Sequence, residues 1–358
     1  MPSIHETAYP RIKSDPSPND LVSVYTPTPE EEAFADAITR QPTAKLGLLI
    51  QMKVFQRLGY FISINDTPNI IIEYIANSVG EDKIPDELYR YDTSGARQRH
   101  LKNLRNYLKV TPVGSETLAF IRKVANEAAT TKDEPAVIVN VVLEELTCSR
   151  FELPAFGTLV REANASRAET NRRCFKSVYD NLSEEAKQKI GDILNAKEMN
   201  DRSIWNRLKQ EPKKPTVTNI KEFVEHLKWL KSFDQLLPKS FDIPQSKMKQ
   251  FITEARALNI ANMNELKIHK RYTLAALLIR AQTGNAIDDI ADIIIRIVQN
   301  LHYSANERLK KHHLDQTQKV DSLVSALHST IMAYRSSGTK EQRFDAIDTL
   351  LADETNGF

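Results

Sequence analysis

"DEPAVIVNVVLEELTCSR", Asp133–Arg150, is the stretch on which the fold class turns. Its β-branched run, Val137, Ile138, Val139, Val141 and Val142, has the composition of a buried strand. Its beginning does not. Pro135 follows two acids and stands where a helix takes its first residue, with its missing N–H costing nothing. The run also extends for about fifteen residues, a length that favours a helix over a strand. The stretch therefore reads as a helix, and the one place where a sheet could begin is gone.

The flanking sequence keeps to the same periodicity. Before it, Met1–Thr28 is polar and proline-rich and reads as an extended arm. Ala44–Tyr60 is apolar on most sides (Leu46, Leu49, Ile50, Val54, Leu58), which predicts a buried helix stopped by Gly59. Thr67 reads as the cap of a helix whose first residue is Pro68, and another helix follows Ser94. "SETLAFIRKVANEAATTK", Ser115–Lys132, closes this group. After the pivotal stretch, "FELPAFGTLVREANASRAETNRRCFKSVYDNL" opens a second group that runs to Trp205. "EPKKPTVTN", Glu211–Asn219, reads as a linker. Beyond it Ile220, Phe223, Val224 and Leu227 recur at helical spacing. So do Ile287, Ile290, Ala291, Ile294, Ile297, Val298 and Leu301, and again Val320, Leu323, Val324, Leu327 and Ile331. No internal repeat of fixed period is found. The expectation is an all-α, multi-domain protein: an arm over 1–28, helical modules over 29–131 and 132–210, and a long-helix region over 211–358.

Composition agrees. Ten glycines in 358 residues are few for a chain of hairpins. Two cysteines, Cys148 and Cys174, cannot build a disulfide framework or a four-thiolate zinc site, and a reducing, cytoplasmic setting fits them. No apolar run reaches the length of a membrane span, and Met1–Tyr25 lacks the apolar centre of a signal peptide. The formal net charge is only +2, so any polyanion must be met by a local patch and not by the overall field.

Two patches qualify. After the turn "YDTS", Ser94–Val110 carries Arg97, Arg99, His100, Lys102, Arg105 and Lys109 and no carboxylate. Leu101, Leu104 and Leu108 form its docking stripe. Gln98, Lys102, Arg105 and Lys109 share another stripe, flanked by Arg99, Asn103 and Asn106. Cations neutralise phosphates, while Arg, Asn and Gln can form paired hydrogen bonds with guanine and adenine edges. Two predicted helices, Pro68–Val79 and Pro85–Tyr89, precede it, as in a helix-turn-helix whose last helix enters the major groove. A charge run is usually only a solvated face, and for this helix alone the two readings balance. The second patch lies in the segment after Pro154. Phe156, Leu159, Val160 and Ala163 would point inward, "NASRA" (containing Arg167) could be a turn, and a following helix would bury Phe175, Val178 and Leu182. Its outer face would show Asn171, Arg172, Arg173 and Lys176. The alternative is one continuous helix with an exposed basic face, and the sequence leaves both open. Two such patches on one chain tip the expectation to double-stranded DNA as partner.

Catalytic machinery is not legible. Asp288, Asp289 and Asp292 lie together on one predicted helix, where Asp292 can pair with Arg296, and a salt-bridged surface is the better reading. His312 and His313 are adjacent and diverge by about 100° on a helix, too far to chelate one ion. Cys174 falls on an apolar stripe. No phosphate-binding glycine loop and no hydrolase or zinc motif is found. The expectation is no catalytic residue, no metal site and no cofactor in this chain.

Several segments resemble Tn3-family transposases: "MPSIHETAYPRIK" at the start, "KVFQRLGYF" (Lys53–Phe61), "YDTSGARQRH" (Tyr91–His100), "RFELPAFGTLVREA" (Arg150–Ala163) and "PTVTNIKEFVEHLKWL" (Pro215–Leu230). "DIPQSKMKQFITEARALN" and "KRYTLAALLIRAQ" continue the match in the expected order. The resemblance implies that the modules at 29–131 and 132–210 bind DNA at the transposon's terminal inverted repeats. It implies a scaffold and dimerisation role for 211–358, with a second copy or a full-length transposase as the other partner. Members of this family are far longer and carry their Asp-Asp-Glu catalytic residues on a later RNase H-like domain, which nothing here matches. The chain thus resembles the N-terminal region of such an enzyme, DNA-binding without catalysis of its own, in a bacterial cytoplasm on the nucleoid. A helical interaction fragment that binds or inhibits full-length transposase is the alternative.

Overall fold

A computed structural model describes residues 2–81, 83–195, 204–212, 216–336 and 338–355. Its α-helices are, in order, α1 (Pro18–Asp20), α2 (Pro29–Ile38), α3 (Pro42–Leu58), α4 (Asn69–Ser78), α5 (Gly95–Leu108), α6 (Ser115–Thr131), α7 (Pro135–Cys148) and α8 (Phe156–Asp180). They continue as α9 (Glu184–Asn195), α10 (Ile204–Leu208), α11 (Val217–Asp234), α12 (Gln245–Ala257), α13 (Ile260–Glu265), α14 (Ile268–Arg335) and α15 (Lys340–Thr355). The pivotal stretch is α7, with Pro135 at its first position as the sequence requires. Among the described residues no strand forms, and the only β pairing is an isolated parallel bridge between Thr111 and Phe151. The protein is all-α. It divides into two compact units, Met1–Arg207 with Gln235–Leu278, and Leu208–Asp234 with Ile279–Phe358.

The first unit holds two neighbouring hydrophobic clusters. One is organised around α3, whose residues Leu46–Phe55 are buried without a break. Ile71, Ile72 and Ile75 of α4, Leu88, Tyr91, and Leu101 and Leu104 of α5 pack on it. Burying α3 on every side puts two polar side chains inside, and both find a partner, although the Gln51 Oε1 is left without one. Gln51 donates to the Ile62 carbonyl at 2.8 Å, and Lys53 pairs with Glu31 at 3.2 Å. The second cluster joins Ile121, Val124 and Ala125 of α6, Ile138, Val139 and Val142 of α7, and Leu159, Val160 and Ala163 of α8. Helix α6 therefore packs with α7 and α8, and the expected boundary at 131 falls inside this cluster.

The arm is seated on both clusters. Leu21 and Tyr25, in a π-helical turn over Leu21–Tyr25, are buried in the first, and Tyr9 is buried in the second. Tyr9 stacks on Tyr60 with ring centroids 5.3 Å apart and donates its hydroxyl to the Pro154 carbonyl at 3.0 Å. Tyr60 in turn donates to the Pro10 carbonyl at 3.1 Å.

Two local expectations shift. Thr67 donates its hydroxyl back to the Ser63 carbonyl, so Pro68 becomes the cap residue and α4 starts at Asn69. The expected helix Pro85–Tyr89 is a 3₁₀ stretch, Asp86–Thr93. Of the expected linker, residues 213–215 lie outside the described residues, and α11 has begun by Val217.

Gly59 ends α3 as expected, in the left-handed region at φ 73°, with its amide on the Phe55 carbonyl at 2.7 Å. A Cβ there would stand 3.1 Å from the Leu153 side chain. Gly59→Ala should therefore cost at least about 1–2 kcal/mol from backbone strain alone. A urea midpoint unchanged from the parent would show that α3 ends by some other device.

Candidate nucleic-acid interface

Helix α5 is fixed at both ends. Ser94 Oγ accepts the Arg97 amide at 3.2 Å as N-cap, and Lys109 closes the helix in the left-handed conformation at φ 55°. Its inward face carries Leu101 and Leu104, together with His100, whose Nδ1 lies 2.8 Å from the Tyr91 hydroxyl. Burial, and then the nearby Arg99 charge, holds the His100 imidazole below its usual pKa. His100 is thus a neutral packing group and adds nothing to the cationic face.

The structure sorts the cations of α5 into two kinds. Arg97 turns inward, with Nε 3.2 Å from Asp92 Oδ1 in a charge contact too poorly angled for a hydrogen bond. Arg105 is also engaged. Its Nε and one terminal nitrogen lie 2.8 and 3.2 Å from the two oxygens of Glu152, and its guanidinium sits 5.0 Å from the centre of the Phe61 ring. Glu152 is brought there by the bridge at the end of α5. Thr111 donates to the Arg150 carbonyl and Glu152 donates back to Thr111, both at 2.9 Å, while Leu153 donates to the Gly59 carbonyl at 2.8 Å. Arg105 thus helps to clamp the two clusters together.

What stays free is Gln98, Arg99, Lys102, Asn106 and Lys109. All five are exposed, and none has a side-chain hydrogen bond or ion pair among the described residues. At about 100° per residue they fall within roughly a third of the helix circumference, on the side opposite Leu104. No acid of α5 interrupts them. Asn103 is half-buried at the edge of this arc.

The second patch is built differently. Helix α8 runs unbroken through "NASRA", with Ser166 buried, so the turn expected there is not formed. Of the two readings left open by the sequence, the continuous helix is the one observed. Arg167 donates to Asp133 at 2.9 Å, and Asn171 does the same at 2.9 Å. Lys247, 1% exposed, also pairs with Asp133, and Gln250 donates to it. Burial alone would raise the Asp133 pKa, but hydrogen bonds from Lys247, Asn171 and Gln250 and the Lys247 charge bring it down to about 2. Arg172 pairs with Glu169 at 2.6 Å and Arg173 donates to Thr170 at 3.3 Å. Lys176 alone is exposed and without a partner. Glu169 stands one turn from Arg172 and Arg173, so this face mixes signs.

Elsewhere, the Asp292–Arg296 pair expected on α14 is not formed. Burial, and then the charges of Asp292, Asp288 and Glu211, raise the Asp289 pKa. Among the described residues no three His, Cys, Asp or Glu side chains converge in a way that could hold a metal ion. No described helix is long and apolar enough to cross a membrane.

Residues 1–165 match the family described as domain of unknown function (DUF4158). The chain is 26% identical over 309 residues to the transposase for transposon Tn501 of Pseudomonas aeruginosa, covering 85% of this chain and 30% of that protein. It is 25% identical over 284 residues to the transposase for transposon Tn3926 of Escherichia coli (76% and 27%), and 23% identical over 322 residues to that for Tn21 of the same species (87% and 31%). The chain thus spans under a third of the length of these curated relatives.

Proposed function

We propose that this chain, a homologue of Tn3-family transposases along most of its length, binds duplex DNA through the outer face of α5 and recognises the terminal inverted repeats of a transposon. One observation carries this reading: Arg99, Lys102 and Lys109 stand free, beside Gln98 and Asn106, on a face without acids. The cations suit phosphates and the amides suit base edges. Lys176, with Arg172 and Arg173, offers a weaker contact on α8. Because Arg97, Arg105, Arg167 and Asn171 are engaged within the fold, we assign them the task of holding these helices in place.

The test is a salt titration of binding to a repeat-ended duplex and to a scrambled one, followed by fluorescence anisotropy. Each phosphate met by a cation should contribute about 0.9 to the fall of log K with log salt. Three contacts from α5 should therefore give a slope of at least about −2.7. Affinity without salt dependence, or with no preference for the repeat, would overturn the proposal in its general or its specific part. We further infer that the chain does not itself cut DNA, since in-line phosphoryl transfer needs carboxylates converging on metal ions. The same duplex incubated with Mg²⁺ should stay intact.

A further inference from the structure

Helices α4, α5 and α7 end in the same way. The residue past the helix takes the left-handed conformation, its amide bonds the carbonyl three positions back, and the next amide bonds the carbonyl five positions back. At the end of α4 these bonds are Gly80 to Asn77 at 3.2 Å and Glu81 to Ala76 at 3.0 Å. At the end of α5 they are Lys109 to Asn106 at 3.3 Å and Val110 to Arg105 at 2.9 Å. At the end of α7 they are Arg150 to Thr147 at 3.1 Å and Phe151 to Leu146 at 2.9 Å. The left-handed position favours glycine, because any Cβ there crowds the following carbonyl. Gly80, at φ 80°, meets that demand. Lys109 and Arg150, at φ 55° and 57°, do not, and among the described residues they are the only non-glycines with positive φ. A cation near a helix C-terminus is favoured by the helix dipole, but one in the last turn would serve as well. The dipole therefore does not explain a cation at the left-handed position itself.

The two cations are also brought together. Thr111 donates to the Arg150 carbonyl and Glu152 donates to the Thr111 carbonyl, so the backbone leaving α5 runs parallel to the backbone leaving α7. Lys109 stands just before this bridge on one side, and Arg150 takes part in it on the other. Both side chains are exposed, and neither has a hydrogen bond or ion pair among the described residues. The acid nearest to Arg150 in sequence, Glu152, is buried and gives both its oxygens to Arg105, so it does not cancel the Arg150 charge. Lys109 belongs to the free face of α5. Arg150 carries that face onto the second cluster, against which the next residue, Phe151, is packed. Two unneutralised cations on adjoining backbones suit the closely spaced charges of a phosphodiester chain. We propose that Arg150 and Lys109 make a paired contact with the phosphates of the duplex that lies on α5, and that both hold left-handed positions which glycine would fill more stably. The inference rests on the DNA-binding reading above and adds to it a residue at the end of α7, outside both cationic helices.

The test is Arg150→Gly in the full chain, read by thermal melting and by anisotropy with the repeat-ended duplex. Glycine relieves the left-handed strain, so the variant should melt above the parent. It also removes one phosphate contact. The slope of log K against log salt should flatten by about 0.9, and affinity at about 0.1 M salt should fall roughly tenfold. Arg150→Lys should keep the parent's slope, because the slope counts charges. Arg150→Gly combined with Lys109→Gly should flatten it by about 1.8. Weaker binding by a more stable protein is a result that a role in the fold alone does not give. An Arg150→Gly variant with the parent's affinity and slope overturns the paired contact and leaves the reading of α5 standing. A parent without salt-dependent binding overturns both. A variant that loses affinity and also melts below the parent assigns Arg150 to the fold and overturns the contact.

Discussion

Replacing Asp133 with Ala should destabilise the first unit by about 3–5 kcal/mol, the range seen when one partner of a buried ion pair is removed. The reason is Lys247. Its side chain is 1% exposed, so once Asp133 is gone its ammonium has neither water nor a counter-charge. Arg167, 39% exposed, can turn to solvent and contributes less. Asp133→Ala combined with Lys247→Met should recover most of the loss, because the stranded charge leaves as well. The pH dependence has a definite sign. A carboxyl whose folded pKa is lowered to about 2 binds its proton more weakly in the folded state than in the unfolded chain. Its stabilisation is complete above the ordinary carboxylate value near pH 4 and is lost as pH falls towards about 2. Urea unfolding of parent and variant at pH 7 and pH 3 measures both effects. A loss under about 1 kcal/mol at pH 7, or equal acid sensitivity in the two proteins, would show that Asp133 does not hold α8 and α12 together.

Arg99→Ala, Lys102→Ala and Lys109→Ala together should weaken duplex binding by roughly 10²–10³-fold at about 0.1 M salt, and flatten the salt slope by about 2.7. All three side chains are exposed and unengaged, so stability should hardly change. Arg105→Ala should behave in the opposite way. It strands Glu152, which is 10% exposed, and so costs stability while leaving the salt slope intact. Thermal melts and anisotropy on the four single variants separate the two classes. If Arg105→Ala flattened the slope as Lys102→Ala does, the division of α5 into clamp and contact residues would fail.

That division marks the limit of what the sequence discloses. Signals carried by near neighbours were legible: Pro135 opening α7, Ser94 capping α5, Gly59 ending α3, and the stripe of Leu101 and Leu104. The cationic residues of α5 were identifiable as a group, but not which of them point to solvent. Glu152 reaches Arg105 from 47 positions away, and Lys247 reaches Asp133 from 114, so no local pattern announces either pair. "NASRA" contains small residues that suit a turn, yet packing of Ala163, Ser166 and Thr170 against neighbouring helices keeps α8 continuous. The long helix α14 hid its packed side for a different reason. Apolar residues fill α14 on several sides, and only exposure separates the packed ones from the free ones.

The arm has a consequence for how the molecule is made. Tyr9 finds its hydrogen-bond acceptor 145 residues downstream, at Pro154, and the Ala8 amide finds its own at Asn140, 132 residues downstream. A ribosome adding roughly 5–20 residues per second needs about 7–30 s to deliver that surface after the arm has emerged. Until then α2–α5 can assemble with their own part of the arm, Leu21 and Tyr25, while Ile4–Pro10 has Tyr60 to meet but lacks the second cluster and its hydrogen-bond partners at Asn140 and Pro154. Ile4–Pro10 is therefore made before α2–α5 yet fully seated after them, and its seating registers that α6, α7 and the start of α8 have been completed.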